Sequence, residues 1–115
     1  MSRMDLETMA RAAGSAAALL RSLANEHRLM LLCQLAAGER GVSELVAAVG
    51  LSQSAVSQHL ARLRAEGLVA TRREGQAIFY SLASEEARSV IGALYDIYCG
   101  SGGGPSVSPT KRNRP

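Results

Sequence analysis

The chain has no apolar run long enough to cross a bilayer, and its start lacks the charged, apolar and small-residue regions of a secretory signal. A cytosolic location and no membrane partner are therefore expected. Also missing are a Gly-rich phosphate loop, a Cys-x-x-Cys pair, and a nucleophile, base and acid at spacings a fold would bring together. Neither enzymatic chemistry nor a bound cofactor is expected. Global charge says little: the net charge is +3, but Lys111, Arg112 and Arg114 lie at the far end, and without them basic and acidic residues balance. Cysteine is scarce, with two in 115 residues. In a cytosolic protein such cysteines read as free thiols, metal ligands or redox sensors rather than a structural bridge. No internal repeat is visible. The length suits one small domain with a core of its own.

What is there centres on Leu51 to Glu66, followed by Gly67-Leu68-Val69. Ser52 suits an N-cap. Ala55, Val56, Leu60 and Leu63 recur at helical spacing and predict one apolar stripe. The other face carries Gln53, Ser54, Ser57, Gln58, His59, Arg62 and Arg64, with a single acid, Glu66, at its end. Amide side chains suit base edges, and hydroxyls and arginines suit phosphates. An ordinary solvated helix would mix Glu with Lys instead. Ser52, Gln53, Ser54, Ser57, Gln58 and His59 are thus expected at a DNA major groove, with Arg62 nearer the phosphates and Gly67 stopping the helix.

The neighbouring segments support that reading. Met1 to Met4 are expected to be frayed, and Asp5 or Leu6 to about Ser22 predicts a first, Ala-rich helix, with Leu6, Met9, Ala13, Ala16, Ala17 and Leu20 on one side. Asn25 caps a second, to about Ala37, that is apolar nearly all round its later half and should be central. Val42 to Val49 reads as a short third helix ended by Gly50. Short helix, glycine turn, polar-faced helix is a helix-turn-helix pattern. Val69–Glu74 and Ala77–Leu82 alternate around Gly75-Gln76 and predict a β-hairpin wing, with Ile78, Tyr80 and Leu82 facing inward. Arg72 and Arg73 should reach the DNA backbone or minor groove beside Gln76. Ser84 caps a last helix with two apolar rows, Val90, Leu94, Ile97 and Ile91, Tyr95, Tyr98. The expected fold is therefore mainly α with a β-hairpin wing over residues 1–99, followed by a disordered basic tail over 100–115. A protein-binding winged helix is the competing class; a steep salt dependence of DNA binding would separate the two.

The segments LANEHRLMLLCQL, ELVAAVGLSQSAVSQHLARLRAEGLV and RREGQAIFYSL resemble the ArsR/SmtB family of bacterial winged helix-turn-helix repressors. The resemblance covers about positions 20 to 99. It implies a homodimer joined through the first and last helices, bound to operator DNA. Metal-sensing members commonly carry Cys-x-Cys before the recognition helix, or Asp and His on the last helix. Val42–Val49 holds no cysteine and Ser84–Cys99 no histidine, so no metal site carries over. Cys33 and Cys99 instead resemble the sulfide-responsive branch, the SqrR/BigR/YgaV-like repressors. That resemblance implies a redox-sensing pair, with low-molecular-weight persulfides as inducers. The thiols would join through a disulfide or polysulfide and the protein would release DNA. Two small core residues, a response to a metal or metalloid, or a response to general oxidants remain the other readings of the same cysteines. His27 reads as a solvated or capping group and Asp96 as a surface charge.

Overall fold

Side-chain caps set most of the helix starts. The computed structural model describes residues 5–100. The frayed start expected at Met1 to Met4 and the tail beyond Gly100 lie outside the described residues. Asp5 caps α1 (Leu6–Leu23), its carboxylate accepting from the Glu7 and Thr8 amides at 3.1 and 3.3 Å. Asn25 accepts from the Arg28 amide at 3.0 Å and starts α2 (Glu26–Ala37). Strand β1 (Arg40–Gly41) leads into α3 (Val42–Val49), where the Glu44 carboxylate accepts from the Gly41 amide at 2.8 Å. Gly50 takes φ 73° and turns the chain into α4 (Gln53–Ala65), which is capped by the Ser52 hydroxyl. Strands β2 (Val69–Glu74) and β3 (Ala77–Leu82) follow, and Ser84 caps α5 (Glu85–Cys99). Each side-chain cap satisfies an amide that the first helical turn leaves unpaired.

The sheet has three antiparallel strands in the order β1-β3-β2. The hairpin register pairs Glu74 with Ala77 across Gly75-Gln76, and Gly75 sits at φ 62°. Val69, Thr71 and Arg73 share one face with Leu82, Tyr80 and Ile78; Ala70, Arg72 and Glu74 share the other with Ser81, Phe79 and Ala77. Strand β1 extends the hairpin to a third strand, Arg40 pairing with Tyr80 and Gly41 with Phe79.

Helix α2 is central, in contact with α1, α3, α5 and β3. Leu31, Leu32, Leu45, Val56, Leu60 and Leu63 are fully buried and form the heart of the core. The stripe of α4 is therefore what fixes that helix to the body. One expected inward residue differs. Tyr80 and Leu82 pack on the core, but Ile78 is exposed, because the hairpin runs past the core's edge before it reaches position 78. Beyond the core, α1 and the second half of α5 keep large apolar side chains in the open: Leu6, Met9, Leu20, Tyr95, Ile97 and Tyr98. No helix among the described residues is long and apolar enough to cross a membrane.

Candidate functional site

Because Val56, Leu60 and Leu63 point inward, helical geometry turns Ser54, Ser57, Gln58 and Ala61 outward, and all four are exposed. Ser52 and Gln53 are exposed at the helix's N-terminus, where backbone amides also face outward. This face is short-chained, uncharged and rich in hydrogen-bonding groups, which lets the helix come close to a partner. Its flanks are different. His59 is half-buried and turned toward α2, its ring centroid 6.2 Å from that of His27. Burial, then the nearby charges of Arg28, His27 and Arg62, lower its pKa. The ring faces α2, where a groove-facing position was expected. Arg62 is exposed, but its Nε donates to Glu66 Oε2 at 3.1 Å, and the other Glu66 oxygen accepts from the buried Ser22 hydroxyl. The Ser22 bond, then Arg62, hold the Glu66 carboxyl below the usual range. The end of α4 is thereby tied to the end of α1.

Arg28 lies in a segment that carries the family resemblance, but sequence reasoning gave it no role. It is buried, and its Nε and Nη2 donate to the Ser22 and Arg21 carbonyls at 2.9 and 3.2 Å. A cation on carbonyls at a helix C-terminus satisfies groups that the helix leaves open. Arg28 thus locks the α1–α2 corner beside the base of α4.

The wing projects the rest of the expected set. Gln76 lies exposed at its turn. Arg73 is exposed opposite Ile78, with no ion-pair partner among the described residues. Arg72, expected to meet DNA beside it, is engaged within the protein. Its guanidinium pairs with Glu39 at 2.8 Å and with Glu74 at 3.1 Å, and stacks over Phe79. A single charge count hides this difference between neighbouring arginines.

The two cysteines come from separate helices. Cys33, on α2, is half-buried against the core; Cys99, the last residue of α5, is exposed, and both are free thiols. Helices α2 and α5 pack against each other, and burial, then the charge of Cys99, pushes the Cys33 thiol up. Among the described residues no group of three or more His, Cys, Asp or Glu is arranged to hold a metal ion.

The pattern of the family described as "Bacterial regulatory protein, arsR family" matches residues 25–71, from α2 through the start of the wing. The transcriptional activator HlyU of Vibrio cholerae is 48% identical over 96 residues, which cover 84% of this chain and 89% of HlyU. The chain belongs to the ArsR family. A structure of reduced HlyU from Vibrio cholerae superposes with a TM-score of 0.76 at 47% identity, covering 81% of this chain and 98% of that one. The transcriptional repressor BigR of Xylella fastidiosa superposes with a TM-score of 0.80 at 42% identity, covering 85% and 100%. The homodimeric winged helix-turn-helix DNA-binding domain of a Mycobacterium bovis protein, a possible ArsR-family regulator, gives 0.66 at 32%, covering 82% and 86%. This ArsR-family chain is thus a DNA-binding transcriptional regulator with a winged helix-turn-helix fold, α3 and α4 its helix-turn-helix and β2–β3 its wing. Its relatives include both an activator and a repressor.

Proposed function

We propose that the protein is a homodimeric, non-enzymatic repressor that releases operator DNA when reactive sulfur species join Cys33 to Cys99. The observation that carries this reading is a pair of free thiols on two helices that pack together, Cys33 half-buried on the core helix α2 and Cys99 exposed at the end of α5. Cys99 is exposed and meets a low-molecular-weight persulfide first. Its thiolate attacks the outer sulfur of RS–SH, forming Cys99–S–SH and releasing RS⁻. The Cys33 sulfur then attacks the cysteine-borne sulfur of that persulfide. A disulfide forms, and hydrogen sulfide leaves with the Cys33 proton. The two protein thiols are oxidised by two electrons, and the sulfane sulfur is reduced. A direct disulfide needs Cα atoms within about 7 Å, and an inserted sulfur relaxes that limit.

The exposed apolar residues of α1 and α5 support a two-fold interface between copies. A bridge at Cys99 sits beside Ile97 and Tyr98, within that surface, and so bears on how two recognition helices are spaced. Moving the operator from nearly full to nearly empty takes a bias of about 5.5 kcal/mol. On DNA, Ser52, Gln53, Ser54, Ser57 and Gln58 face the major groove, with Arg62 at its rim and Arg73 and Gln76 reaching the backbone from the wing.

Cys33→Ser and Cys99→Ser are each expected to bind the operator and to keep it after glutathione persulfide. Mass spectrometry should find Cys33→Ser one sulfur heavier, at Cys99, and Cys99→Ser unmodified. Normal release by either variant would refute the two-thiol switch. Release by zinc, arsenite or peroxide, with no response to persulfide, would assign the thiols to a metal or a general oxidant.

A further inference from the structure

What holds the two wing arginines differs, and the difference points to Glu39, a residue no motif marks. Arg72 and Phe79 are register partners, and the Arg72 guanidinium carbon lies 4.9 Å from the Phe79 ring centroid. Nε and Nη2 of Arg72 donate side by side to Glu39 Oε2 and Oε1 at 3.0 and 2.8 Å, while Nη1 donates to Glu74 Oε1 at 3.1 Å. This fork is the one a phosphate would otherwise accept. Each partner stabilises the other's charge: the carboxylates raise the Arg72 pKa, and Arg72 lowers that of Glu39. Glu39 immediately precedes β1, whose Gly41 pairs with Phe79 from the far side of β3. The ion pair therefore spans the sheet from β1 to β2 across the face that carries Phe79.

We propose that Glu39 is a positioning residue for DNA binding: it holds Arg72 as a strut that fixes the wing's pose, and leaves contact with the DNA backbone to Arg73. An exposed ion pair stabilises a fold little. This one is forked, doubly acidic and stacked, so its effect is on geometry. The hairpin leaves the core at Ile78, which is exposed, so packing restrains it less there. A strut there removes freedom that DNA binding would otherwise have to remove. The proposal rests on the DNA-binding role alone and stands or falls apart from the thiol switch.

The test uses the reduced, full-length protein and a duplex selected from random sequence by the wild type, with affinity followed against salt. Arg73→Gln should flatten the slope of log K against log salt by about one unit. Arg72→Gln and Glu39→Gln should each weaken binding about three-fold at unchanged slope, and the double variant should be no weaker than either single. Arg72→Lys keeps the charge but loses the fork, and should behave as Arg72→Gln does. A slope flattened by about one unit in Arg72→Gln would make Arg72 a phosphate contact and overturn the proposal. So would tighter binding by Glu39→Gln, which would make Glu39 a competitor of DNA, or unchanged affinity in both single variants.

Discussion

Helices α4 and α5 both carry apolar residues at helical spacing, yet these meet different fates. In α4, Val56, Leu60 and Leu63 are fully buried within one chain. In α5, Ile91 is buried but Tyr95, Ile97 and Tyr98 stand 60%, 66% and 76% exposed. The half built around α4 completes its core by itself. The half made of α1 and the end of α5 leaves an apolar face exposed, the face assigned above to the proposed dimer. Cys33 belongs to the first region and Cys99 to the second, so a bond between them ties the finished part of the molecule to the unfinished one.

That contrast can be broken by substitution, the largest effect coming from the core. Leu60→Ala should cost about 2–5 kcal/mol, read by denaturant unfolding, because the emptied site is walled by other leucines. Ile97→Asp should leave a folded chain but shift light-scattering mass toward the monomer at micromolar concentration. If Ile97→Asp left assembly intact, or if the wild type were monomeric in both redox states, the exposed face would not be an interface. On the outer side of α4, Gln58→Ala should weaken operator binding by about 1–3 kcal/mol and relax base preference, without changing thermal stability. An unchanged footprint and sequence preference would show that Gln58 does not read bases.

The smallest expected effect is at the flank. The folded pKa of His59 lies below its unfolded value, so the neutral ring's contribution is complete above about pH 6.5. It is lost as pH falls through the folded value. Melting temperature should drop more steeply from about pH 7 to about pH 5 in the wild type than in His59→Gln. Parallel curves would mean the ring protonates freely in the fold.

These contrasts also mark how far the sequence could be read. Asp5 or Leu6, Asn25, Ser52 and Ser84 predicted helix starts because capping is local, and Gly50 and Gly75 marked turns for the same reason. The wing's inward face was legible at Tyr80 and Leu82 but not at Ile78, since alternation says which face a residue takes and not where the core ends. Strand β1 is two residues long, has no alternation, and exists because β3 offers it an edge. Within the site, the outward set from Ser52 to Gln58 followed from helical period. The Glu39–Arg72 and Ser22–Glu66 pairs and the turn of His59 toward His27 did not, since each joins residues that only the tertiary fold brings together.

The bond between the two regions is the central claim, and it is tested most directly by titrating DNA-bound, reduced protein with glutathione persulfide. At each point the Cys33–Cys99 linked peptide is quantified by mass spectrometry, and operator occupancy by anisotropy on the same sample. Occupancy should fall in step with the linked fraction, and both should recover together when a reductant is added. Full linkage with the operator still bound, or release while both thiols remain unmodified, would contradict the account.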